Sequence, residues 1–293
     1  MPRYVEPLFR PPSEARSLIF QITIGCSQNQ CRFCGMYKDK KFHMRPLKDI
    51  LDEISGIPAG YRPSVDRVFL ADGDALVYPY DDLCTILDAL AVTFPALTRV
   101  SSYASPNSLT TKNAEQLIEL RARQLKILYF GLESGDDHTL LNINKGFESG
   151  EMAELALMAR GAGIKLSVTA ILGLAGSRRS LQHARATSEW VNRVNPEYFS
   201  LLTMFHRHND EFIRTLQQCT RRELMLETRE MLQYLHPAKT ILRSNHVSNF
   251  LNLAGSYPKD RERLIADVDS ALKQAAAREG FLDEVPSYQE EYY

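Results

Sequence analysis

Three cysteines, Cys26, Cys31 and Cys34, stand in the run Gln-Ile-Thr-Ile-Gly-Cys-Ser-Gln-Asn-Gln-Cys-Arg-Phe-Cys-Gly-Met-Tyr, with four residues in the first gap and two in the second. Three thiolates on one short loop can bind three irons of a 4Fe-4S cluster, and the missing fourth thiolate leaves one iron open to a small-molecule ligand. An open iron suits chemistry better than stapling. The plainer use of these thiols is a structural zinc site with His43 as fourth ligand. Zinc sites usually bring two short cysteine pairs, however, and only one Cys-x-x-Cys is present. The total of five cysteines is odd, which argues against a disulfide framework. Cys84, in a helical pattern, reads as a small core hydrophobe, and Cys219 as packing or a plain surface thiol.

Such a loop needs a frame, and the hydrophobic pattern supplies one. Short β-branched runs alternate with longer helical stretches, the signature of βα units on a parallel sheet. Strands are predicted at Leu18–Ile24, Arg67–Leu70, Arg99–Tyr103, Lys126–Phe130, Lys165–Ile171 and Tyr198–Thr203. Helices are predicted at Leu47–Ser55, Tyr80–Phe94, Thr111–Arg121, Ser149–Gly161 and Arg178–Val194, with Asp81, Thr110 and Ser149 able to cap their starts. Beyond Phe205 the pattern is helical only, over Asp210–Gln218, Arg222–Leu235 and Asp260–Ala277. These helices and a loop at Arg243–Tyr257 are expected to cover an incomplete barrel and line its cavity.

The 293 residues, 44% of them hydrophobic, suffice for one large domain or two small ones. No apolar run reaches the ~18 residues of a membrane helix, and the N-terminus lacks a signal-peptide core, so no membrane association and a cytoplasmic location are expected. Lysine plus arginine (35) against aspartate plus glutamate (36) leaves a formal charge of −1, which exerts no global pull on nucleic acid.

Ligands of βα architectures gather at the C-terminal ends of the strands. The cysteines follow the first predicted strand and Ala71–Leu76 (Ala-Asp-Gly-Asp-Ala-Leu) the second; Tyr129–Gly135 (Tyr-Phe-Gly-Leu-Glu-Ser-Gly) ends the fourth, and Ile171–Gly176 (Ile-Leu-Gly-Leu-Ala-Gly) the fifth. With these motifs in this order, residues 15–205 resemble the radical S-adenosylmethionine (SAM) superfamily. The chain looks similar to its elongator-type and oxygen-independent coproporphyrinogen oxidase-type members. The usual superfamily motif has three residues in the first cysteine gap; here Ser27-Gln28-Asn29-Gln30 makes four.

The resemblance implies an α/β fold, a partial (β/α)6 TIM-like barrel with additional C-terminal helices. Residues 1–205 would form the barrel with its N-terminal extension, 206–284 a helical elaboration, and 285–293 a flexible tail. It implies a 4Fe-4S cluster on Cys26, Cys31 and Cys34, with SAM on the open iron. An electron from the reduced cluster would split SAM into methionine and a 5′-deoxyadenosyl radical, which takes hydrogen from the substrate. Phe33 resembles the residue whose backbone meets the adenine. Asp72, Gly73 and Asp74 stand where the family commonly has Gly-Gly-Glu, which receives the methionine ammonium. Glu133 and Ser134 resemble contacts to ribose or methionine, and Ile171 to Gly173 resembles the segment beside adenine.

Candidate substrate contacts are Tyr103, Asn245 and His246. The expected partners are a small-molecule substrate and an electron donor such as flavodoxin or ferredoxin. The alternative is an RNA- or protein-modifying enzyme, suggested by the basic, aromatic run Tyr37-Lys-Asp-Lys-Lys-Phe-His-Met-Arg45, which could grip an RNA backbone. A further alternative is a non-catalytic iron-sulfur or zinc protein. His206 and His208 read as loop residues.

Overall fold

Buried parallel strands read as near-continuous apolar runs, and Val68-Phe-Leu-Ala71 forms such a strand with all four residues sealed from solvent. The computed structural model describes residues 4–286. Along the chain come β1 (Leu18–Gln21), β2 (Thr23–Ile24), β3 (His43–Met44), α1 (Leu47–Ser55), β4 (Arg67–Ala71), α2 (Tyr80–Thr93), β5 (Arg99–Ala104), α3 (Pro106–Thr110), α4 (Ala114–Ala122) and β6 (Leu125–Glu133). There follow α5 (Asp137–Asn142), α6 (Ser149–Gly161), β7 (Lys165–Leu172), α7 (Ser180–Val194), β8 (Tyr198–Thr203), α8 (Asp210–Ile213), α9 (Arg221–Tyr234), β9 (Thr240–Ser244), β10 (Leu253–Tyr257) and α10 (Arg261–Ala276). The fold is α/β: the eight-stranded sheet has the order β1-β4-β5-β6-β7-β8-β9-β10, and β2-β3 is a separate pair. Five of the six strands expected from the sequence are present as single strands, while the expected Leu18–Ile24 is divided into β1, in the large sheet, and β2, in the separate pair.

The chain forms two compact units. The first comprises residues 4–29, 36–130 and 155–166. In it β1 pairs with β4, β4 with β5 and β5 with β6, all parallel. Phe20, Phe69 and Leu70 from the strands and Ile86, Leu87 and Leu90 from α2 are fully buried. Each such side chain contributes roughly 1.5–3 kcal/mol by leaving water. The N-terminal extension is pinned by Glu14, which is buried and accepts hydrogen bonds from Ser17 Oγ (2.5 Å), Arg99 Nη2 (2.9 Å) and Tyr129 OH (2.5 Å).

The second unit comprises residues 30–35, 131–154 and 167–286. In it β7–β8 and β8–β9 are parallel, and β9–β10 is antiparallel. Helices α7 and α9 pack together, and α10 packs on α9.

The region after Phe205 is not purely helical, because β9 and β10 extend the sheet. Thr240-Ile-Leu-Arg-Ser is short, and Leu253-Ala-Gly-Ser-Tyr carries little intrinsic strand preference; pairing to β8 and to each other makes them strands. Half of the expected 243–257 loop is therefore sheet. Helix α8 is a single turn, not a helix to Gln218. The expected helix at Thr111–Arg121 is divided: Ser105 and Asn113 each build a capping box, starting α3 and α4 separately, so Thr110 ends a helix and caps none. Asp81 lies inside the first turn of α2, where its charge suits the helix dipole. Most of the expected tail, residues 287–293, lies outside the described residues.

Candidate functional site

In the first unit the chain leaves β2 at Ile24 and turns through Gly25 into Cys26. The loop after β4 lies against this turn: the Gly73 N–H donates to the Gly25 carbonyl at 3.1 Å. A Cβ on Gly73 would sit 2.9 Å from the Cys26 Cβ and 2.6 Å from the Tyr37 ring, so only glycine permits this approach. Asp72 is fully buried, and its Oδ2 accepts from Lys40 Nζ (2.8 Å), Gly25 N (3.0 Å) and Gln21 Nε2 (3.1 Å). Asp74, also fully buried, accepts from Ser105 N (2.9 Å), Ser105 Oγ (2.7 Å) and the hydroxyl of Ser27, the residue next to Cys26. Burial raises the Asp74 carboxyl above the usual range against these hydrogen bonds. Asp72 and Asp74 therefore brace the cysteine turn from beneath. Tyr103 packs edge-on to Phe69 and Tyr129, and burial pushes its phenol pKa up.

In the second unit Cys31 is buried, while Phe33 and Cys34 are half-buried. Asn209 fastens this stretch: its Nδ2 donates to the Phe33 carbonyl at 2.7 Å, and its Oδ1 accepts from Arg207 N at 3.0 Å. The Arg32 N–H donates to the Ile143 carbonyl at 2.8 Å. Glu133, at the end of β6, has φ +66°, a left-handed conformation that a residue with a β-carbon seldom adopts and that concentrates at functional positions. Its Oε1 is 3.2 Å from the Nζ of buried Lys145.

The adjacent Ser134 is fully buried and turns inward, its Oγ 2.7 Å from His183 Nδ1. Burial lowers His183 to about 4. At the end of β7 the Gly173 N–H donates to Glu227 Oε1 at 3.0 Å. A crevice with about 300 Å³ of open space, counting its mouth, lies beside it, lined by Leu172, Gly173, Thr203, Met204, His206 and Gln218 among others.

The substrate candidates of this unit divide. Asn245 is exposed, whereas His246 is half-buried with its Nδ1 2.8 Å from Ser248 Oγ, and burial lowers its pKa. His206 and His208 are in loop. Sequence reasoning did not single out Asn209, Lys145, His183 or Glu227. Glu227 alone carried a signal: it falls three residues after Leu224 and four before Met231, on the buried stripe of α9.

None of the five cysteines is in a disulfide. Among the described residues no three His, Cys, Asp or Glu side chains are gathered as an ion-binding group. The donor set suits a cluster nonetheless. Three thiols lie within nine residues, and the Gly73 backbone closes against Cys26 where a side chain would intrude. Cys26, Cys31 and Cys34 are the residues that would hold it.

Residues 20–184, more than half of the chain, match the family model described as the radical SAM superfamily. The chain belongs to that superfamily and is a radical SAM enzyme, whose family carries a 4Fe-4S cluster and SAM. No curated protein matches it. Among solved structures it is similar to coproporphyrinogen III oxidase (HemN) from Escherichia coli, with 18% identity and a TM-score of 0.58 over 74% of this chain and 50% of that one. It is similar to methylornithine synthase (PylB), with 12% identity and a TM-score of 0.52 over 94% of this chain and 84% of that one. A third is the radical SAM methyltransferase TsrM from Kitasatospora setae, with 17% identity and a TM-score of 0.52 over 64% of this chain and 36% of that one. The chain thus spans half of the HemN chain and about a third of the TsrM chain. At these identities the likenesses establish the fold alone, the partial TIM-like barrel.

Proposed function

We propose that this enzyme abstracts a hydrogen atom from a small-molecule substrate, receiving electrons from a reduced carrier such as flavodoxin or ferredoxin in the cytoplasm. The cluster and SAM, when bound, supply the 5′-deoxyadenosyl radical; the protein supplies position and exclusion of water. Cys26, Cys31 and Cys34 hold the cluster. Phe33, Asp72, Gly73, Asp74, Glu133, Ser134, Ile171 and Gly173 are the SAM-site candidates. Gly73, Glu133 and Phe33 offer backbone or carboxylate groups directly. Asp74 and Ser134 act from behind, bonded to Ser105 and His183, whereas Asp72 is held by Lys40 through Oδ2 and its buried Oδ1 has no hydrogen-bond partner among the described residues.

The observation favouring a small molecule over RNA is the fate of Lys40. It is 6% exposed, with Nζ bonded to Asp72, the Val5 carbonyl (2.7 Å) and the Pro7 carbonyl (2.6 Å). Arg45, from the same basic run, donates to Glu53 and to the Gln21 carbonyl. The run that read as an RNA grip spends two of its cations inside the protein. Phosphate contacts need cations free to displace counterions.

Two measurements test this. Adding SAM to the reduced, reconstituted protein is expected to shift the cluster's EPR signal; an unchanged signal would indicate a non-catalytic iron-sulfur protein. Salt-sensitive tRNA binding that disappears in Lys38→Ala/Lys41→Ala would favour the RNA-modifying alternative instead.

A further inference from the structure

Glu227 is a carboxylic acid sealed inside the second unit, and among the described residues no lysine or arginine pairs with it. It projects from α9 to the point where β7 ends and α7 begins. Its Oε1 accepts the Gly173 N–H at 3.0 Å, and its Oε2 accepts Ser180 Oγ–H at 2.5 Å. Oε1 also lies 3.5 Å from His183 Nε2. Gly173 has φ +78°, and a Cβ there would meet Leu224, on the same face of α9, at 3.0 Å. The turn is held further along, where Ser177 N donates to the Gln217 carbonyl at 2.8 Å.

The Asp136 N–H donates to Ser134 Oγ at 3.0 Å, and Ser134 Oγ lies 2.7 Å from His183 Nδ1. The other ring nitrogen, Nε2, faces Glu227 Oε1.

We infer that Glu227 is a positioning residue: from α9 it holds the Gly173 turn at the mouth of the crevice, one carboxyl oxygen on the Gly173 N–H and the other on the Ser180 hydroxyl. This deepens the reading above, because Gly173 is one of its SAM-site candidates. The groups around the carboxyl are His183 on α7, Glu223 one turn earlier on α9, the Cys219 thiol before α9, and Asp136, which faces His183 and is itself paired with Arg179 at 2.8 Å. Only Arg179 among them is a fixed cation, and it is spent on Asp136. Burial accordingly raises Glu227 to about 7, against the bonds from Ser180 and Gly173. As pH rises through 7 the carboxyl gains an uncompensated charge, and the turn loosens.

The test is hydrogen–deuterium exchange of the full-length, cluster-free protein. Glu227→Ala strands the Gly173 N–H and the Ser180 hydroxyl. It is expected to speed exchange across residues 172–177 about tenfold, as for the loss of one buried hydrogen bond, while β8 stays protected. Glu227→Gln can accept from Gly173 and donate to Ser180, so it should restore protection. Compared at equal pH, wild type should exchange faster than Glu227→Gln in this segment above pH 7 and match it at pH 6. Ser180→Ala, a milder change, should loosen the same segment to a lesser degree.

Wild-type protection of 172–177 in both Glu227→Ala and Ser180→Ala would overturn the inference, as would loosening in Glu227→Gln equal to that in Glu227→Ala. Because this readout needs neither cluster nor SAM, failure of reconstituted wild type to bind SAM would count against the proposed function and leave the exchange result standing.

Discussion

Lys40 Nζ lies 2.8 Å from Asp72 Oδ2, and both side chains are sealed from water, at 4% and 0% exposure. The pair joins the segment after the cysteine loop to the segment after β4. Removing one partner of a buried pair costs about 3–5 kcal/mol, because the other is left charged in a medium that cannot solvate it. Lys40→Met is therefore expected to lower the urea-unfolding stability of the cluster-free protein by that amount, and Lys40→Met/Asp72→Asn to recover much of it. A loss below ~1 kcal/mol in Lys40→Met would show the pair to be solvated in solution.

Gly73 is where the β4 loop meets the first cysteine. Gly73→Ala drives a methyl group against Cys26 and Tyr37, at 2.9 and 2.6 Å before relaxation. Iron bound per chain after reconstitution should fall well below wild type, while far-UV circular dichroism is unchanged. Full iron loading would mean that the approach of the two loops is looser than the structure has it.

The frame of this site was legible in the sequence; its bracing was not. Parallel strands announce themselves locally, because both faces are buried and each reads as an apolar run, as Arg67–Ala71 does. The division of α3 from α4 was also written locally, in Ser105-Pro106 and in the Asn113–Gln116 capping box. By contrast, β10 is Leu-Ala-Gly-Ser-Tyr, and only its partner β9 makes it a strand. Lys40 reads as one more surface lysine until Asp72, 32 residues on, is folded beneath it. Glu227 sits in Arg-Arg-Glu-Leu-Met-Leu-Glu-Thr-Arg-Glu, where charge composition hides a carboxylate on the apolar stripe. Asn209 carried no signal, because the Phe33 carbonyl it serves is remote in sequence.

The buried pair His183 and Glu227 gives stability opposing pH slopes. Glu227 is raised from 4.5 to about 7, so the folded state favours its protonated form. The stability this contributes is full below pH 4.5 and is lost as pH climbs to 7. His183 is lowered from 6.5 to about 4, so the folded state favours the neutral ring, and stability is lost as pH falls from 6.5 to 4. Glu227→Gln should abolish the first slope. At pH 8 the variant is expected to match or exceed wild type in chemical denaturation, by up to a few kcal/mol on the order set by the shift. A variant less stable than wild type at pH 8 would contradict the assignment.

The cysteines separate by role. Cys219 is buried, and its thiol pKa is pushed up by burial and then by Glu227, which keeps it from acting as a thiolate. Cys84 lies on α2 and is half-buried. Alanine at 26, 31 or 34 should abolish the visible absorption of the reconstituted cluster, whereas Cys84→Ala and Cys219→Ala should keep it. An intact cluster in Cys31→Ala would overturn the ligand assignment.

The most direct measurement is anaerobic reconstitution with iron and sulfide, reduction with dithionite, addition of SAM, and detection of 5′-deoxyadenosine by mass spectrometry. The expected result is 5′-deoxyadenosine from wild type and none from Cys34→Ala. A fully loaded wild-type cluster whose EPR signal ignores SAM and which forms no 5′-deoxyadenosine would contradict the account.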